Sequence, residues 1–272
     1  MNRARVLAIT RADLRQLRQS RDFWMPLAII AAFMFVVVPV VLLYVLSTVE
    51  DPQLLQKLAE VAGRLPGPVR ERLGGRGDAV QASYTLAVYL FAPLVTLVPL
   101  TVSSAVAANT FVGERERGSG EFLAHSPADT SEIFLGKLLA ALVPGAITAA
   151  CGLVAYSAIV NLMLAPKTEG VLFPMGNWWI FMFWLVPALL ALAVTLIVTV
   201  SSRVTSGAAA QQASSLIALP LVVTAYGVSA NAFFGWPGPA WIAGAIGWVA
   251  AAIAVWHGMR TLTRERLLGV GS

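Results

Sequence analysis

From Val204 to Met259 the chain runs 56 residues without a Lys, Arg, Asp or Glu. A single helix of that length would extend about 84 Å, whereas the hydrocarbon core of a bilayer is about 30 Å thick. The run therefore predicts two membrane crossings. The break between them falls at 231–239, Asn-Ala-Phe-Phe-Gly-Trp-Pro-Gly-Pro, where Gly and Pro end helices and aromatic rings suit a membrane–water interface.

Other charge-poor runs extend the pattern to six spans, at 23–49, 80–109, 133–164, 176–200, 208–230 and 240–257. Each is long enough, against the roughly 20 residues that cross a bilayer as helix, to span it. An even number places both termini on one side. If that side is inside, its segments hold 13 Lys and Arg against six outside, which favours N-in, C-in. Residues 1–21 read as an amphipathic interface helix. Val6, Leu7, Ile9, Leu14 and Leu17 share one face, while Arg11, Arg15 and Arg18 point away. Residues 50–78 form an extracytoplasmic helical cap, opened by Asp51-Pro52 and carrying Leu54, Leu55, Leu58, Val61, Ala62 and Leu65 at helical spacing. The expected fold is all-α: one polytopic membrane domain over 1–272, with six transmembrane helices and the N-terminal interface helix.

The chain is 58% hydrophobic and 12% charged, about half the usual charge of a soluble domain. Its net charge of +5 fits basic inner loops better than nucleic-acid binding, because no basic patch is interleaved with exposed aromatics. Cys151, the only cysteine, reads as a small packing residue. His125 and His257 lack Cys or carboxylate neighbours at ligand spacing, which argues against a metal. Trp24, Trp178, Trp179, Trp236 and Trp241 fit interfacial belts. No Asp, Glu, Lys, Arg or His falls at mid-membrane, so a proton-coupled carrier would have to work with hydroxyls and amides alone. Leu135-Gly136-Lys137-Leu138 lacks the first glycine and the hydroxyl of a phosphate-binding loop. The expectation is a chain without catalytic residues, cofactor or metal, whose energy source lies elsewhere.

Residues 111–132 break the positive-inside pattern, with five acids against two bases. Arg117 and Glu121 stand four apart, as a pair on one helical face would. Phe122 and Leu123 follow as exposed apolar groups, and Asp129 with Glu132 approximates a capping box for the third span. Charge beside two exposed hydrophobics suits an element that inserts into a partner's groove; an ordinary solvated loop accounts for it equally well. The polar groups within spans, Thr96, Thr101, Ser103, Ser104, Asn109, Thr195 and Thr199, are the candidates for a transport pathway. The competing explanation is that they satisfy backbone carbonyls near Pro93 and Pro99 or pack between helices. Ala243 and Gly247 offer close helix packing or dimerisation.

The 111–139 segment resembles the signature of the ABC-2-type permease family, the membrane subunits of many bacterial ATP-binding-cassette exporters. Its pattern, E-R-E-x-G-T-x-E-x-L and then L-G-K-L-L, is matched by Glu114, Arg115, Glu116, Gly118, Ser119 in place of Thr, Glu121, Leu123, Pro127 and 135–139. Ser201-Ser202-Arg203 and Gln211-Gln212 through Pro220 resemble the family's short inner loop and fifth span. Gly120 departs from the usual large apolar residue and loosens the helix there. The resemblance implies an exporter subunit in a bacterial cytoplasmic membrane, paired with a second permease copy or a related permease. ATP and Mg would bind a separate ATP-binding-cassette ATPase. Residues 111–132 would then be the coupling loop, with Glu114, Arg115, Glu116, Glu121, Phe122 and Leu123 docking on that ATPase and Arg203 making a lesser contact. Two other function classes stay open, an ATP-independent channel or uniporter and a non-transporting anchor or regulatory subunit. The substrate is not written in the residues.

Overall fold

The computed structural model describes residues 1–48, 75–91, 97–116, 125–168, 178–234 and 238–265, with positions 53, 57, 60, 61, 63, 70, 71, 73, 118, 121, 173, 174 and 176 between them. The expected helix at 50–78 rests mostly on positions outside these residues, including Leu54, Leu55, Leu58, Ala62 and Leu65.

Among the described residues the chain is helical, without strands. Helix α1 (Arg3–Gln19) is capped by Asn2, whose side chain accepts from Ala4 N. Helix α2 (Arg21–Ala32) continues through a π-helical segment, Phe33–Val37, into α3 (Val38–Thr48). Helix α4 (Asp78–Tyr84) leads into a second π segment, Thr85–Phe91, and α5 covers Leu97–Glu116. Helix α6 is the longest, Thr130–Thr168. The short α7 (Trp178–Ile180) and a third π segment, Phe181–Leu185, run into α8 (Val186–Ser201). Helices α9 (Gly207–Phe234) and α10 (Gly238–Thr261) complete the bundle.

Five described helices are long and apolar enough to cross a membrane: Phe23–Thr48, Thr130–Thr168, Trp178–Ser201, Gly207–Val228 and Gly238–Thr261. The chain is a polytopic all-α membrane protein. The run expected as the second span, 80–109, is described as two helical stretches on either side of 92–96, so it is not among the five.

Helix α5 is central, packing on α6, α8 and α9, while α10 lies on α8 and α1 lies along the start of α6. Glycine permits two of these approaches. A Cβ at Gly136 would stand 2.8 Å from Ile9 Cβ on α1, and one at Gly145 would stand 2.8 Å from the Pro99 carbonyl on α5. Gly247 fits closely on Ala188, so this small residue serves contact between α10 and α8 within the chain.

Two apolar clusters fill the bundle. One gathers Tyr84, Val88, Tyr156, Phe173, Trp178, Phe181 and Leu185. The other, toward α1, gathers Phe111, Ile133, Phe134, Val194 and Ile197. Trp178 corrects the interfacial reading: it is 1% exposed, edge-on to Phe173 and Phe181. Trp179 and Trp241 are about half exposed. Cys151 is likewise not a packing residue. It is exposed on α6, because the helix turns its adjacent Gly152 toward Phe35 instead.

Candidate functional site

The polar chemistry of the chain gathers at one end of the bundle, where α5 stops and α6 starts. Helix α6 opens with Asp129 at its N-cap. Glu132, three residues on, accepts a hydrogen bond from Asp129 N at 3.2 Å, which is the reciprocal arm of a capping box. The same buried carboxylate accepts from Asn2 N and lies 3.6 Å from Arg5 Nη1. Arg5 also donates to the Pro127 carbonyl at 2.9 Å, and Arg264 donates to the Ala128 carbonyl at 3.2 Å. Both terminal segments therefore hold the turn that precedes α6.

One helical turn further, Lys137 is 2% exposed and its ammonium is shared. Nζ lies 2.8 Å from Glu114 Oε1 on α5 and 3.1 Å from Asp13 Oδ2 on α1. An ammonium taken out of water requires such partners. Beside it, Thr10 on α1 donates to the Val6 and Gly136 carbonyls at 2.9 and 3.0 Å. Of α1's apolar face, Val6 is buried on α6 while Leu7 is 47% exposed. The helix thus divides that face between protein and surroundings.

The next two residues of the E-R-E run tie α5 to the link between α8 and α9. Arg115 Nη1 donates to the Val204 carbonyl and Nη2 to the Ser202 carbonyl, each at 2.6 Å. Burial draws this guanidinium's pKa down from its ordinary value. Glu116 Oε1 accepts from Gly207 N at 3.0 Å, so a carboxylate sits at the positive N-terminus of α9. Ser206 caps the same helix by accepting from Ala209 N. Ser201 adds a further tie, donating to the Ala108 carbonyl at 2.6 Å.

Glu114, Arg115 and Glu116 therefore act first as intramolecular fasteners, and the structure brings them together with Asp13 and Lys137. Arg203 is exposed on the neighbouring link, and Glu121 is exposed as well. Phe122, Leu123 and Arg117 lie outside the described residues, as does Thr96.

Among the polar span residues, Ser103 is fully buried and donates to the Ala141 carbonyl on α6 at 2.8 Å. Thr195 is also fully buried and donates to the Ala191 carbonyl, and Thr199 donates to the Thr195 carbonyl. Thr101 donates to Leu97 O and Asn109 to Ala105 O, both on exposed faces of α5. Ser104 is buried, and its hydroxyl oxygen has no hydrogen-bond partner among the described residues. The hydroxyls of Ser103, Thr101, Thr195 and Thr199 each donate to a backbone carbonyl. Asn109 lines a cavity of about 410 Å³ beside Lys137.

Asp13 is the residue that sequence reasoning missed. The available signal was Lys137 itself, because a lysine at the entrance of an apolar helix demands a carboxylate. No group of His, Cys, Asp and Glu able to hold a metal is found among the described residues.

A sequence profile for the ABC-2 family transporter protein matches residues 74–264, well over half of the chain. No match is found among curated proteins. The match covers α4 to α10 and with them the E-R-E run, Lys137 and the Arg203 link; the chain belongs to the ABC-2 transporter family and is a membrane permease component of an ABC transporter.

Proposed function

We propose that this permease exports its substrate from a bacterial cell and is driven by an ATPase on a separate polypeptide. In this reading ATP and Mg bind the partner, and the chain itself carries no catalytic group. It crosses the cytoplasmic membrane six times with both termini inside, and works as a pair with a second copy or a related permease.

The observation that carries the proposal is the convergence of α1, the α5–α6 connection, the α8–α9 link and Arg264 at one end of the bundle. Charged contacts join them to one another. An even number of crossings places these four segments on one side. They also carry most of the chain's basic residues, which assigns that side to the cytoplasm.

The contacts also supply a mechanism. A push that reaches the end of α5 at Glu116 or the start of α6 at Thr130 is passed to several elements. Glu114 passes it to Lys137 and α1, Arg115 to the α8–α9 link, and Glu116 to α9. The bundle then moves as a body, as alternating access demands. Glu121, Phe122 and Leu123 lie between those two ends and are the docking residues of this reading, with Arg203 as a lesser contact.

The test is Phe122→Ala with Leu123→Ala. The double variant should insert and fold as before, yet lose association with the ATPase and the ATP hydrolysis measured in the assembled complex. Unchanged hydrolysis with full association would remove the docking assignment.

A further inference from the structure

Helix α1 carries two adjacent stripes. Val6, Thr10, Asp13 and Leu17 follow one another at three- and four-residue steps, and they form the docked side. Val6 and Thr10 are buried, and Thr10 donates to the Gly136 carbonyl. Asp13 meets Lys137, and Leu17 packs on the apolar cluster that holds Phe134. One residue on, about 100° round the helix, Leu7, Arg11, Leu14 and Arg18 repeat the same steps. Leu7 is exposed and Leu14 half-buried, while Arg11, Arg18 and the neighbouring Arg15 are exposed.

Among the described residues these three guanidinium groups meet neither a carboxylate nor a hydrogen-bond acceptor. The one acid of α1, Asp13, is turned to Lys137. The free side is therefore positive without compensation. A stripe that alternates leucine with arginine fits a membrane surface, where the leucines enter hydrocarbon and the arginine stems rise beside them to the headgroups. Arg18 stands less than two turns before Phe23, where the first span begins, which sets it near headgroup depth.

We infer that the free side of α1 binds acidic phospholipid headgroups of the bilayer, and that this binding holds α1 against the start of α6. A phosphodiester supplies the charge that the three arginines lack, and a guanidinium donates to it through two hydrogen bonds at once. Each arginine close to an acidic surface strengthens attachment by about fivefold. An acidic protein surface would answer the arginines, but Leu7 and Leu14 beside them call for hydrocarbon. Helix α1 is then clamped from two sides, by Gly136 and Lys137 within the chain and by lipid outside it. The inference goes beyond the proposed transport function, and no ATPase enters its test.

The test is amide hydrogen exchange, followed by mass spectrometry, on the full chain in two kinds of nanodisc. One is phosphatidylcholine alone; the other contains about 30% phosphatidylglycerol. Exchange within 3–19 should be at least fivefold slower in the acidic discs, while exchange within 186–201 stays the same in both. About 0.5 M salt should remove most of the difference, since screening then acts within a few ångströms. Arg11→Gln with Arg15→Gln and Arg18→Gln keeps helix propensity nearly unchanged. This variant should exchange in both discs as the unaltered chain does in phosphatidylcholine. Equal exchange of the unaltered chain in the two discs would overturn the inference, as would a triple variant that keeps the slowing. Equal slowing by inorganic phosphate in phosphatidylcholine discs would overturn the assignment to lipid.

Discussion

Replacing Lys137 by Met should destabilise the bundle far more than replacing all three members of its ion cluster together. At 2.8 and 3.1 Å, its two attractions amount to about 6 and 5 kcal/mol gross at an effective dielectric of 20. Much of that is cancelled by desolvation of an ammonium only 2% exposed and by repulsion between the carboxylates. Removing Lys137 alone takes from Asp13 and Glu114 the cation that both contact. Breaking a buried pair in this way costs about 3–5 kcal/mol. The carboxylates are 18% and 13% exposed, and that partial hydration lowers the expectation to about 2–3 kcal/mol. For a chain of this size, the apparent unfolding midpoint in detergent should fall by about 4–12 °C. Asp13→Asn with Glu114→Gln and Lys137→Met removes both carboxylates along with the cation they share and should recover most of the loss. The assay is thermal unfolding followed by the monodisperse fraction on size exclusion. An unchanged midpoint in Lys137→Met, or no recovery in the triple variant, would refute the reasoning.

Three further outcomes follow from the geometry. Arg115→Lys cannot reach both the Ser202 and Val204 carbonyls with a fork, so amide exchange in 201–206 should quicken, at a cost of about 1.5–3 kcal/mol. Gly136→Ala places a methyl on Ile9, and should loosen α1 enough for proteases to cut within 3–19 while the spans stay protected. In a Cys151→Ala background, a cysteine at Arg203 should react with a membrane-impermeant maleimide only after the cells are opened, whereas one at Arg76 should react in intact cells. The reverse pattern would invert the proposed orientation.

Five spans were legible because a charge in hydrocarbon is costly, so its absence over long runs can be read directly. The Glu132 arm of the capping box was legible too, since it depends on residues three apart. The Lys137 cluster was not. Its partners stand 124 and 23 positions away, and only the docking of α1 on α6 brings Asp13 within reach. Glu114, Arg115 and Glu116 were picked out by resemblance to a docking motif, yet their first contacts are internal: charge type identifies a polar residue without naming its partner. Trp178 shows the same limit in the apolar register. Residue type suggested an interface, whereas Phe173 and Phe181 enclose it. The three π segments had no sequence signal, because a one-residue shift in hydrogen bonding leaves the apolar pattern intact.

In the proposed function, the free energy for transport enters from another protein. Magnesium-dependent ATP hydrolysis, measured on the pure chain and on the complex isolated with it in mild detergent, asks this directly. The account predicts none from the chain alone, and hydrolysis that co-migrates with the chain in the complex. Hydrolysis by the bare chain, or a complex that contains no ATPase and still moves cargo, would contradict it.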